Sequence, residues 1–245
     1  MTPTVLVPGV TLARGDVVEV TGDAYRHFFR ARRFGVGERV RVTDGRGSAR
    51  FGRIDRVERD VAVVLLDDPA PALESELRLT LAAAAIRPER ASWIVEKGTE
   101  LGVDRFLWFS SERSQRELRS QAMERLRRVA RSALEQSGRS RLPEVSATSW
   151  TDLLESVAST SAVLLDIQSP DMSRSPLDLA GDCAERIRSV PAPLLLLGPE
   201  GGFTTAERDQ LIEAGAHPLW LGPRVLRAET AAVVGAGLLL GSGNN

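Results

Sequence analysis

Apolar positions up to residue 66 fall in short, β-branched runs separated by glycine: "VLVPGVTL", "DVVEV", "RVRVTDGRGSARFGRI" and "VAVVLL". With "DGRG" as a turn signal, this pattern predicts a small β domain. The next stretch, "DDPAPALESE" at 67–76, is polar, contains proline and lacks periodicity, so it reads as a linker. Beyond it the pattern changes. "LRLTLAAAAI", "FLWFS", "AVLLD", "PLLLLG" and "PLWLG" are strand-length apolar runs, separated by longer segments with helical periodicity. Nearly continuous apolar strands alternating with helices predict an α/β domain with a parallel sheet covered on both faces. We place the boundary at 70, giving domains 1–70 and 71–245.

Within 115–136, Leu118, Ala122, Leu126, Val129, Ala130 and Ala133 share one helical face, and Arg116, Arg119, Arg128 and Arg131 fall on the other. Gly138 is placed to cap that helix, and Pro143 prevents its continuation. In "LLLLGPEGGFTTAERD" a buried strand runs into Gly-Pro-Glu-Gly-Gly, and Thr204 to Glu207 match the S/T-x-x-E capping box. The glycines Gly198, Gly201 and Gly202 therefore sit at the carboxyl end of a parallel strand and before a helix N-terminus, where ligands bind in open α/β sheets. They allow positive φ or close approach to a ligand or another chain segment. A tight strand-to-helix turn without a ligand is the competing reading.

Composition narrows the function. The chain has 245 residues, 42% of them hydrophobic, enough for one large core or two smaller ones. The longest apolar stretches are about half of what a membrane span needs, and the N-terminus lacks a signal-peptide layout, so a cytoplasmic location is expected. One cysteine, Cys183, and two histidines, His27 and His217, cannot build a Cys/His metal cluster, and no metal is expected. The formal net charge of -1 conceals two basic segments: ten arginines against three acids in 25–56, and nine arginines against four glutamates in 112–141. Local cations of this density suit phosphate neutralisation, although solvated surface accounts for them equally well on charge alone.

Familiar nucleotide motifs are missing. A Walker loop needs a lysine after its glycines, and the sole lysine is Lys97, in "EKGTELG". "GVGERV" and "GAGLLLG" both fail the third position of the dinucleotide fingerprint. Neither histidine has the context of a Ser/His/Asp triad.

A second loop matches the first: "PLWLGPRVLRAETAA" is another apolar strand followed by Gly222-Pro223 and then Arg224, Leu226, Arg227, Glu229 and Thr230. Together, "LLLLGPEGGF" and "LGPRVLRAETAA" resemble the C-terminal signature of the RsmE-type 16S rRNA uridine-N3 methyltransferases, members of the SPOUT superfamily. Three further blocks match in order: "YRHFFRARRFGVGERV", "EKGTELGVDRFLWFSSERSQ" and "RSALEQSGRSRLPEV".

The resemblance implies a PUA-like β-barrel RNA-binding domain followed by a SPOUT domain with a deep trefoil knot. It further implies a homodimer, S-adenosyl-L-methionine as cofactor, and 16S rRNA of the small ribosomal subunit as partner. Carried onto this chain, the cofactor residues are Leu197, Gly198, Pro199, Glu200, Gly201, Gly202, Leu221, Gly222, Pro223, Val225, Leu226 and Thr230. Arg227 and Glu229 become catalytic, and Arg26, His27, Arg30, Arg32, Arg33, Arg113, Gln136 and Arg139 become RNA contacts. A side chain at Gly201 or Gly222 is expected to fill ligand space or demand forbidden φ. The small, apolar "GAGLLLG" suits helix packing either between or within chains. The sequence departs from the family at Ser114-Gln115, where a small apolar residue is expected, and in its replacement of lysine by arginine, which keeps the charge. Methylation of another RNA target, or a non-catalytic RNA-binding assembly role, are the alternative functions.

Overall fold

The computed structural model describes residues 2–114, 120–167 and 173–241. Leu118, Arg116, Arg119 and Gln115, named above, lie outside them. The chain forms two compact units, Met1–Glu74 with Arg131–Leu142, and Ser75–Ala130 with Pro143–Asn245.

In the first unit, β1 (Thr4–Leu6), β2 (Val17–Thr21), β3 (Arg39–Thr43), β4 (Ala49–Glu58) and β5 (Val61–Pro69) form one sheet in the order β1-β3-β4-β5-β2. β1 runs parallel to β3, and the remaining pairs are antiparallel. β2 alternates buried and exposed positions, as a strand with one solvated face should. The "DGRG" turn joins β3 to β4, with the Asp44 carboxylate accepting from the amides of Arg46 and Ser48 at 2.7 and 3.1 Å. β5 extends to Pro69, so the first residues of the stretch read as linker are strand. Between β2 and β3, α1 (Gly22–Tyr25) widens into a π-helical turn, Arg26–Ala31. Tyr25, Phe28 and Phe29 enter the core beside Val20, Val40, Val42, Ile54 and Val64. The arginines of "YRHFFRARRF" are thereby left outside, while its aromatics belong to the core.

The second unit is built on a six-stranded, wholly parallel sheet of order β11-β9-β10-β6-β7-β8. Its strands are β6 (Thr80–Ala84), β7 (Arg105–Phe109), β8 (Glu144–Ala147), β9 (Ala162–Asp166), β10 (Leu194–Leu197) and β11 (Ala216–Trp220). The helices are α2 (Pro88–Leu101), α3 (Ser120–Ser137), whose residues from Arg131 on belong to the first unit, α4 (Trp150–Ser159), α5 (Pro176–Arg188), α6 (Thr205–Glu213) and α7 (Ala228–Gly241). Five of the strands are those the apolar runs predict. β8, "EVSA", is too short and too polar to announce itself; it becomes a strand by adding to the β7 edge. Gly138 does cap α3, with φ of 77° and its amide donating to the Leu134 carbonyl at 3.0 Å. On α2, Gly98 lets the Phe106 ring approach, since a Cβ there would lie 2.7 Å from it. Gly235, in "GAGLLLG", does the same for Leu165 of β9, so at this position the small residue serves packing within the chain.

Candidate active site

The two glycine loops meet where the sheet directs them. β10 and β11 are separated in the sheet only by β9, so the loops after β10 and β11 and the end of β9 converge at the carboxyl edge of three adjacent strands. They enclose a cavity of about 340 Å³, at the lower end of the range for small-molecule and cofactor sites. Leu197, Gly198, Pro199, Glu200, Gly201, Gly202, Leu221, Gly222, Pro223, Val225 and Leu226 all line it. Thr230, Arg227 and Glu229 are not part of its wall.

The first loop is fixed from several sides. Gly202 adopts φ of 70°, and its amide donates to the Pro199 carbonyl at 2.8 Å, closing a turn. Gly198 lies under the Phe203 ring, 3.0 Å from where a Cβ would stand. The capping box of α6 forms as predicted: Thr204 accepts from the Glu207 amide, and the Glu207 carboxylate accepts from the Thr204 amide at 2.9 Å. The other Glu207 oxygen accepts from the Glu112 amide at 2.7 Å, which ties the loop after β7 to the start of α6. Next along the chain, the Arg113 guanidinium donates to the carbonyl of Gly201 at 3.1 Å and is 3.4 Å from that of Phe203. Arg113, an RNA contact by sequence, is thus a cavity-wall residue that braces the first loop.

Sequence reasoning missed Asp166 and Arg208, both cavity-lining, which pair at 2.7 Å. Asp166 stands at the end of "AVLLD"; only the strand order, which puts β9 between β10 and β11, reveals its place. Of the two glycines expected to resist substitution, Gly222 has φ of 117°, whereas Gly201 has an ordinary φ and room for a Cβ 3.5 Å from Arg113. Forcing a β-branched residue into positive φ costs on the order of 1–3 kcal/mol. Gly222→Val should therefore weaken ligand binding by about 5- to 150-fold, and Gly201→Ala should leave the loop conformation intact. Calorimetry on both variants checks this contrast.

Arg227 is exposed, and its side chain has no ion pair among the described residues. Glu229 instead faces Arg90, whose Nε lies 3.6 Å from it, so a loop-fixing Arg227 to Glu229 pair is not what the structure contains.

Of the residues assigned to RNA, Arg26, His27, Arg30, Arg32 and Arg33 are all exposed around the π-helical turn of the first unit. Arg26 pairs with Asp23, Arg30 with Asp60 at 2.6 Å, and Arg32 lies over the Phe28 and Phe34 rings at 5.9 and 5.7 Å. Arg33 holds φ of 58°. Gln136 is exposed on α3. Arg139 differs. Its side chain is 3% exposed and donates twice to Glu74, at 3.1 and 2.7 Å, a buried pair within the first unit.

Comparison with known proteins agrees with this layout. A family model for the RNA methyltransferase domain matches residues 73–240, and one for the RNA methyltransferase PUA domain matches residues 20–65. The fold and the site together define an RNA methyltransferase with an N-terminal PUA domain. Ribosomal RNA small subunit methyltransferase E of Mycobacterium tuberculosis (strain CDC 1551 / Oshkosh) is 32% identical, the match covering 91% of this chain and 86% of that protein. The Bacillus subtilis (strain 168) protein of the same name is 26% identical, covering 86% and 85%. A crystal structure of ribosomal RNA small subunit methyltransferase E from Neisseria gonorrhoeae bound to S-adenosyl methionine superposes with a TM-score of 0.83 at 26% identity, covering 96% of this chain and 95% of that one. The chain belongs to the ribosomal RNA small subunit methyltransferase E family.

Proposed function

We propose that this protein transfers a methyl group from S-adenosyl-L-methionine to N3 of a uridine in the decoding region of 16S rRNA. The observation that carries the reading is the cavity made by both glycine loops at the ends of β9, β10 and β11, with exposed Arg227 on the second loop beside it. The chain's own residues suit the cofactor. Leu197, Leu221 and Leu226 supply apolar walls, loop amides and carbonyls supply polar contacts, and Gly222 and Gly202 hold backbone shapes that a larger residue would strain. When bound, the cofactor supplies an electrophilic methyl carbon.

Uridine N3 carries a proton at neutral pH, so the protein must favour its loss. Arg227, exposed and without an ion pair among the described residues, is the residue to stabilise negative charge on the uracil oxygens. Glu229, two positions after Arg227 in the first turn of α7, is the proton acceptor in this reading. Residues 1–70 act as the RNA-binding domain and 71–245 as the catalytic one. The knot and the homodimer implied by the resemblance are part of the proposal; exposed Trp93 on α2 and Val234 on α7 supply apolar surface for a second copy. Among the described residues no helix is long and apolar enough to cross a membrane, and no group of side chains could hold a metal ion.

Incubating the protein with S-adenosylmethionine and small subunits from a strain deleted for the gene tests the reading. Nucleoside mass spectrometry should show 3-methyluridine in 16S rRNA; a methyl group on tRNA or on a ribose would select the alternative target. Removing the exposed cations by Arg30→Ala with Arg32→Ala should weaken RNA binding and shallow its salt slope by roughly 0.7 to 0.9 for each phosphate no longer neutralised. Cofactor affinity should not change. An unaltered slope in a filter-binding titration would move the RNA surface elsewhere.

A further inference from the structure

Arg90 sits in the first turn of α2 and is not part of the cavity wall, yet it reaches one carboxylate in that wall and another just after the second loop. Its Nη1 lies 3.4 Å from Glu200, on the first loop, and its Nε lies 3.6 Å from Glu229, in the first turn of α7 directly after the second loop. The same Glu200 oxygen accepts the amide of Arg87, the N-cap of α2, at 3.3 Å, so a carboxylate from the first loop closes the positive end of that helix. All three side chains are largely buried, 25%, 15% and 14% exposed. The second oxygens of Glu200 and Glu229 are both buried and find no hydrogen-bond partner among the described residues.

A single guanidinium thus compensates two carboxylates that arrive from positions 110 and 139 residues further along the chain. Arginine suits this task because its planar fork can address two acceptors in fixed directions, which a lysine cannot. We infer that Arg90 is a positioning residue for the cofactor site: it sets the spacing of the two glycine loops by holding Glu200 and Glu229 to the N-terminus of α2. The inference rests on the proposed cofactor reading and goes beyond it, since it gives the shape of the cavity to a residue outside the cavity wall.

Positioning and simple electrostatics predict opposite signs. Removing a cation near a cavity that takes a sulfonium cation would, by charge alone, tighten binding. Loss of the clamp instead frees two uncompensated buried carboxylates to push the loops apart. Calorimetry with S-adenosylmethionine on the RNA-free protein separates them. Arg90→Gln should bind at least tenfold more weakly than wild type, Arg90→Lys should fall between the two, and adding Glu229→Gln to Arg90→Gln should recover part of the loss. RNA affinity, measured in parallel, should stay at the wild-type value in all three. Equal or tighter binding by Arg90→Gln, or no recovery in the double variant, overturns the inference; Arg90→Lys keeps the test open if the glutamine variant fails to fold. Wild-type protein that binds no S-adenosylmethionine at all would count against the cofactor reading itself, not against the clamp.

Discussion

Replacing Arg227 with alanine lowers the single-turnover methylation rate by roughly two to three orders of magnitude, the loss seen when one oriented donor to a developing oxyanion is removed. As N3 of uridine gives up its proton, negative charge spreads to the flanking carbonyl oxygens, and a guanidinium near them favours the reacting anion over the neutral base. The structure sharpens this expectation. A pair between Arg227 and Glu229 would have made Arg227 a brace for its own loop, but Glu229 is engaged by Arg90, and the Arg227 side chain is exposed without an ion pair among the described residues. Cofactor affinity should therefore survive Arg227→Ala nearly intact. Raising the pH should restore part of the variant's rate, because more substrate is then already deprotonated. A variant that loses rate and cofactor affinity by one factor, with no alkaline recovery, would leave Arg227 a merely structural residue.

Removing the carboxylate of Glu74 destabilises the first unit by about 3–5 kcal/mol, the range for breaking one side of a buried ion pair. One Glu74 oxygen accepts from the amides of Ser140 and Arg141 at 2.7 and 2.9 Å, and the other from Arg139 at 3.1 and 2.7 Å. Glu74→Ala leaves the Arg139 charge and both amides buried with no acceptor from that residue. Burial opposes ionisation of Glu74, but the Arg139 guanidinium and the two amides outweigh it and hold the carboxyl below its ordinary range. A carboxyl depressed in the folded state contributes stability above its unfolded pKa and loses it as the pH falls through the folded one. Urea denaturation from pH 7 down to pH 3 should show wild type losing stability on the acid side more steeply than Glu74→Ala. Parallel curves for the two proteins would mean that the pair adds nothing through charge.

Much of this protein is written in interactions between near neighbours in the chain, and those features were legible. Period-two and period-3.6 apolar spacing, the capping box at Thr204, the Gly138 cap and the two strand-to-loop transitions each depend on residues within a few positions of one another. Two glycine loops of matching design therefore marked the cavity wall from sequence, and eleven of the twelve residues expected there line it. The arginines around the π-helical turn read correctly as exposed charge, but Phe28 and Phe29 between them could not be assigned to the core from composition alone.

What remained hidden depends on partners far away in the chain. Asp166 enters the site only because β9 lies between β10 and β11, an order that no local pattern encodes. An arginine reads alike in sequence whether it ends in water, on a carbonyl or against a carboxylate. Only the fold sends Arg113 to the Gly201 carbonyl, Arg139 into the buried pair with Glu74, and Arg90 between Glu200 and Glu229. Glycine poses the same problem, since Gly201 and Gly222 look equivalent in their loops and only Gly222 has the positive φ that requires it. The sequence by itself therefore determined the change from a β to an α/β pattern, five of the six strands of the parallel sheet and the loops that form the cavity. The tertiary structure decided which charges are free to act and which hold the site in shape, because burial and pairing are settled by contacts made across the whole chain.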